Sequence, residues 1–231
     1  MRARAARLNF QGRLPWKPAV ILLLILLAAD VAYVAMHLRY PNARLFSLSA
    51  ERSYSEVFQY MKEYWITGLL LLLAVRRQET VFVVWAALFG YLLVDDSRGL
   101  HERLGQALAG DDPLARVLGV RAQDIGELLV SGAAAAVFFA AIALAHRRAS
   151  AGGRAESWCL VRLCIALAAF GIGVDIVHEL LPPGGSYSLI AILEDGGEMV
   201  VMTFILAFAF AVVTETEPPT RARANVLLRY H

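Results

Sequence analysis

Charge is scarce in this chain: only 18% of the 231 residues are charged, against 58% that are hydrophobic. A soluble domain of this size carries nearer a quarter charged residues. No polybasic run is interleaved with aromatics, which argues against nucleic acid as a partner. There is no P-loop, no G-x-S-x-G elbow and no Rossmann fingerprint. Cysteine is almost absent. Cys159 and Cys164 lie five positions apart in one apolar run, so on a helix they point in different directions and a disulfide between them is excluded.

What the chain has instead is length of apolar sequence. Its mean hydropathy is +0.56. Bilayer hydrocarbon is ~30 Å thick and takes ~20 mostly apolar residues per helix. Several segments reach that length, and their apolar residues run continuously rather than alternating. Lipid admits only helices or closed barrels, so the expected fold class is all-α, a polytopic bundle of about six transmembrane helices.

The six spans are expected at Pro18 to Leu38, Tyr54 to Arg77, Glu79 to Leu104, Ala122 to Arg147, Glu156 to Leu181 and Tyr187 to Val213. Ser53-x-x-Glu56 is a capping-box pattern that starts the second span, although Lys62 and Glu63 interrupt its apolar surface. Residues 1–17 form a basic N-terminus. Residues 18–77 hold the two N-terminal helices, 79–148 and 156–213 are two hairpins, and 214–231 is a polar tail. Met1 to Trp16 looks like a signal peptide, but no A-x-A site follows, so an uncleaved anchor is expected. Arg76-Arg77, Arg147-Arg148, Arg154 and the basic N-terminus place both termini on the cytoplasmic side, in a membrane expected to be the bacterial inner membrane.

The chemistry concentrates in an internal repeat. Glu79 to Leu104 aligns without a gap on Glu156 to Leu181, and the copies end in His101-Glu102 and His178-Glu179. The next helix of each pair opens with Asp124-Ile125-Gly126-Glu127 or Asp195-Gly196-Gly197-Glu198. At 1.5 Å per residue, each His lies ~33 Å above the Glu that opens its segment. Glu127 lies ~30 Å above Arg147 and Glu198 ~24 Å above Thr214 by the same rise. The motifs therefore share one layer near the outer membrane face. Both copies run in the same direction, so a pseudo-two-fold axis along the membrane normal can relate them.

Crowded carboxylates repel, and burying them unpaired is costly; a multivalent cation removes that penalty. Asp124-x-x-Glu127, Asp195-x-x-Glu198 and Asp175-x-x-His178 use the i,i+3 spacing that puts two side chains on one helix face. In ligand logic the pattern resembles the ferritin-like and alternative-oxidase-like di-metal proteins, although Glu-x-x-His does not occur here. The expected metal ligands are His101, Glu102, Asp124, Glu127, His178, Glu179, Asp195 and Glu198. Asp96, Asp175, Glu194 and Asp30 are supporting residues or further ligands, and Asp95 belongs with them.

Mixed carboxylate and imidazole suits iron, manganese or zinc. The first two imply redox chemistry and zinc implies hydrolysis by activated water, on a lipid-like, quinone-like or other amphipathic substrate. Two other readings stand beside this one. A cation or proton transporter would use the acids as a pathway, whereas a structural subunit would use acid–Arg contacts as a helix clamp. Asp124 and Asp195 can also simply complement a helix N-terminus, and Asp30 can pair with Lys62, which lies at comparable depth. Tyr54, Tyr60, Tyr64 and Trp65 read as an interfacial belt.

Overall fold

The structure, a computed structural model, describes residues 17–109, 121–174 and 187–215. Among these residues every regular element is helical. The helices are α1 (Lys17–Arg39), α2 (Tyr54–Arg77), α3 (Thr80–Arg98), α4 (Leu100–Leu108), α5 (Ala122–His146), α6 (Ala151–Ala168) and α7 (Tyr187–Glu215). A 3-10 turn at Arg44–Phe46 follows α1, and a π-helical stretch at Ala169–Val174 continues α6. Four segments are long and apolar enough to cross a membrane: Lys17–Arg39, Thr80–Arg98, Ala122–His146 and Ile192–Glu215. Their outer surfaces are apolar too, with Ile21, Leu24, Val31, Leu129 and Val137 exposed. Only 11% of the apolar stretch of α5 is buried, so a lipid-like surround is what would cover the rest.

α2 begins at the Ser53-x-x-Glu56 pattern read from the sequence, with the Ser53 half of a capping box formed. Ser53 Oγ accepts from the Glu56 amide at 3.3 Å, and the Glu56 carboxylate accepts in return from the backbone of Arg52. Lys62 and Glu63, which break the apolar run of α2, are buried rather than exposed. That places α2 at the centre, packed against α3 on one side and α7 on another. The core expected from the two hairpins alone therefore includes α2. Ile66, Leu70, Leu73, Phe82, Trp85, Leu160, Ile205 and Leu206 fill it. Trp85 donates its indole N–H to Ser157 at 2.9 Å, which satisfies the polar edge of a buried ring.

Two helix boundaries differ from expectation. The third span does not run unbroken to Leu104, because Gly99 adopts φ +57° and ends α3. Glycine takes that left-handed conformation without a Cβ clash, and α4 leaves in a new direction. The fifth span starts at Ala151, ahead of Glu156, since Ser150 caps it by accepting from the Gly153 amide at 3.0 Å. Gly152 and Gly153 read as loop residues. Yet a side chain at position 153 would overlap the Glu79 carboxylate, which accepts from Ser150 Oγ at 2.9 Å.

α4 lies on α5 with backbone against backbone. A Cβ added to Gly126 would strike the Gly105 carbonyl, and one added to Gly105 would strike Glu127. Small residues allow such approach, which is how helices gain dispersion contact where lipid replaces water.

Candidate metal centre

The end of α3 and the start of α4 build the site. Asp95 is buried and closes the break at Gly99: its Oδ1 accepts from the His101 amide at 2.8 Å. The same oxygen lies 3.2 Å from His101 Nδ1. A carboxylate on Nδ1 fixes the imidazole and leaves Nε2 as the nitrogen that can meet an ion. Asp96 is the next residue on α3. One donor atom from each of Asp95, Asp96 and His101 lies within 4.8 Å of the others. Tyr60 on α2 donates its hydroxyl to the Asp96 carbonyl at 3.1 Å and so pins this end of α3 against α2.

Glu63 reaches the cluster from α2. It is 1% exposed, and its carboxyl lies close enough to that of Asp96 for the two to interact. Glu198 on α7 is close enough to Glu63 for their charges to interact. It rests against Gly171 in the π-helical stretch, where any larger residue would overlap it. The carboxylate and imidazole groups thus come from α2, α3, α4 and α7.

The remaining residues expected as ligands are distributed as follows. Glu102 sits exposed in the first turn of α4, its carboxylate over Gly99. Asp124 accepts from the Arg121 amide at 3.2 Å at the start of α5 and pairs with the Arg121 guanidinium at 2.7 Å. Glu127 accepts from Gln123 at 2.7 Å and drapes over Gly105. Asp195 accepts from Ser49 Oγ, in the connection between α1 and α2, and Glu194 precedes it on α7. Asp30 is paired with Lys62 at 2.6 Å, deeper in the bundle. Asp175, His178 and Glu179 lie outside the described residues.

Asp96 and His101 are therefore brought together, with Glu198 nearby and Asp124 and Glu127 engaged elsewhere. Sequence reading passed over Glu63 as a mere interruption of the apolar surface. The signal available was its depth, since an ionisable group inside a span is functional by default. The two cysteines are free.

These features define a class: a protein that is helical throughout its described residues, which hold four candidate membrane spans and an acid–histidine cluster at one end of the bundle. The chain belongs to the family described as Domain of unknown function (DUF8692), whose profile matches residues 18–212. No curated protein and no solved structure matches it.

Proposed function

We propose that this is an integral membrane protein that binds a metal ion, one or two per chain, at the junction of α3 and α4. The observation that carries the reading is the convergence of Asp95, Asp96 and His101 within 4.8 Å. Two carboxylates held this closely repel unless a cation or protons intervene, and the imidazole beside them is a further ligand for a cation. Carboxylate with imidazole suits iron, manganese or zinc, and no thiolate lies in the cluster. In the orientation set by the basic loops, the site faces the outer side and the termini face the cytoplasm. A metalloenzyme acting on an amphipathic substrate from the outer leaflet, as an oxidoreductase or a hydrolase, is the activity that such a position favours.

A transport pathway needs polar groups across the full thickness of the bundle. Among the described residues the buried charged side chains reach no deeper than Asp30 and Lys62, and Leu70, Leu73, Phe82, Trp85 and Leu206 fill the core beyond them. The metal reading is accordingly preferred to a cation or proton transporter.

The test is metal content by mass spectrometry of protein purified without chelator, beside Asp96→Asn and His101→Ala. One or two equivalents in the wild type, lost in both variants, support the site. Wild-type protein that is folded and metal-free after incubation with iron, manganese and zinc salts in turn sinks it.

A further inference from the structure

A buried carboxyl set beside a second carboxyl calls for a proton or a cation between them. Glu63, buried on α2, stands in this relation to Asp96, which is exposed on α3. Glu63 is 1% exposed, and its Oε2 has no hydrogen-bond partner. An unpaired buried carboxylate oxygen is among the costliest arrangements a protein can hold, and here it borders three other ligand-type side chains.

The same face of α2 carries two more atoms of this kind. Gln59 Oε1 and Thr67 Oγ1 are also buried without partners, one turn to either side of Glu63. Residues at i, i+4 and i+8 share one helix face, so three partnerless oxygens stand in a row along α2. Thr67 looks across at Gly90 on α3, where an added Cβ would lie 3.6 Å from its methyl group. A row of oxygens without donors calls for what oxygens bind: water or a hard cation.

We infer that Glu63 is a ligand of the metal ion, so that the centre spans α2 and the α3–α4 junction and takes a hard divalent cation of the Mn2+ or Fe2+ type. This rests on the metal reading above and narrows it. Glu63, Asp95 and Asp96 supply carboxylate oxygen, and His101 alone supplies nitrogen. Oxygen-rich sets with one imidazole suit manganese and ferrous iron, whereas zinc sites favour nitrogen and sulfur in closed tetrahedra. Gln59 and Thr67 then hold the water molecules that complete the coordination sphere.

Manganese is the probe for the test, because its binding is read directly by electron paramagnetic resonance. Detergent-purified full-length protein is titrated with Mn2+ as wild type and as Glu63→Gln. Gln keeps the shape of Glu and can donate to Asp96, so the fold is retained. Loss of Glu63 weakens Mn2+ binding by at least about tenfold, the lower bound for losing even an outer partner of a ligand.

A second measurement needs no variant. Wild-type protein is treated with dicyclohexylcarbodiimide, which labels buried carboxyls, and modification of Glu63 is read by peptide mass spectrometry. Saturating Mn2+ suppresses that labelling, because a carboxylate bound to the ion is deprotonated and not available to the reagent. Mn2+ binding with wild-type affinity in Glu63→Gln, or Glu63 labelled equally with and without bound Mn2+, overturns the inference and leaves the Asp95, Asp96 and His101 site standing. Wild-type protein that binds neither Mn2+ nor Fe2+ overturns the inference. If it takes up zinc instead, the broader reading survives; if it takes up none of the three, both fall.

Discussion

Lys62 of α2 donates to Asp30 of α1 at 2.6 Å, with side chains that are 0% and 2% exposed. Each member of the pair has a second partner. Lys62 also donates to the Met199 carbonyl at 2.9 Å, and Thr203 donates to the second Asp30 oxygen at 2.6 Å. Breaking a buried pair from one side leaves an uncompensated charge, which costs about 3–5 kcal/mol. Lys62→Met should therefore lose about that much stability, measured by unfolding in mixed detergent followed by circular dichroism. Lys62→Met combined with Asp30→Leu should recover most of the loss, because apolar replacement of a whole buried pair is often neutral. A double variant as unstable as the single one would show that charge pairing is not what the site contributes.

The α4–α5 contact makes a sharper prediction about size alone. Gly126→Ala forces a methyl into the Gly105 carbonyl, and overpacking of this kind costs about 1–3 kcal/mol. Gly132→Ala on the same helix meets nothing within 4 Å. It should leave the melting temperature in detergent unchanged or slightly raised. Equal effects of the two substitutions would contradict the close approach.

Asp95 has two tasks, and substitution separates them. As the acceptor for the His101 amide, it resembles a helix cap, whose loss costs about 0.5–2 kcal/mol. As the partner of Nδ1, it orients the ring, and losing such a partner lowers metal affinity by about 10–100-fold. Asp95→Asn keeps an acceptor for the amide and gives up the charge. It should retain most of the stability and lose the affinity, a split that thermal melting and a metal titration read together.

At the opposite end, Arg77 pairs with Glu156 where both side chains are partly exposed, 22% and 21%. Such a pair is worth roughly 0–1 kcal/mol and weakens with salt. Glu156→Gln should shift the unfolding midpoint only slightly, and the shift should shrink further in high salt. Glu79 instead holds the amide and hydroxyl of Ser150. Glu79→Ala should cost more than Glu156→Gln, since the cap of α6 is fastened through it.

Much of this was legible in the chain itself, for physical reasons that differ residue by residue. Continuous apolar runs gave the helices because lipid-facing segments have no polar face to hide. Ser53 and Glu56 marked the start of α2 because capping is local chemistry. The Asp30–Lys62 pair followed from depth, since a charge within a span needs a partner at its own height. What escaped were features decided between distant segments. Gly99 sits in an apolar, helix-like stretch, and only its neighbours' packing turns it into a break that redirects His101. Gly152 and Gly153 suggested a loop until Glu79, 71 positions before Ser150, fastened the cap. Asp124 and Glu127 matched Asp195 and Glu198 in pattern, but Arg121 and Gln123 occupy the first pair locally. Nothing in the order of residues shows that Glu63 meets Asp96.

The contacts of α7 bear on how the chain is made. Its Met199 and Thr203 complete the Lys62–Asp30 pair, and its Val213 carbonyl accepts from Arg76 at 2.9 Å. Synthesis delivers α1 and α2 to the membrane first and α7 last, so the two charges wait through most of translation with half of their hydrogen bonds unmade. A product cut short before Met199 keeps that vacancy permanently, in a medium without water to fill it. Arrival of α7 is thus registered at the middle of the bundle, and a chain that ends before it carries a polar defect there.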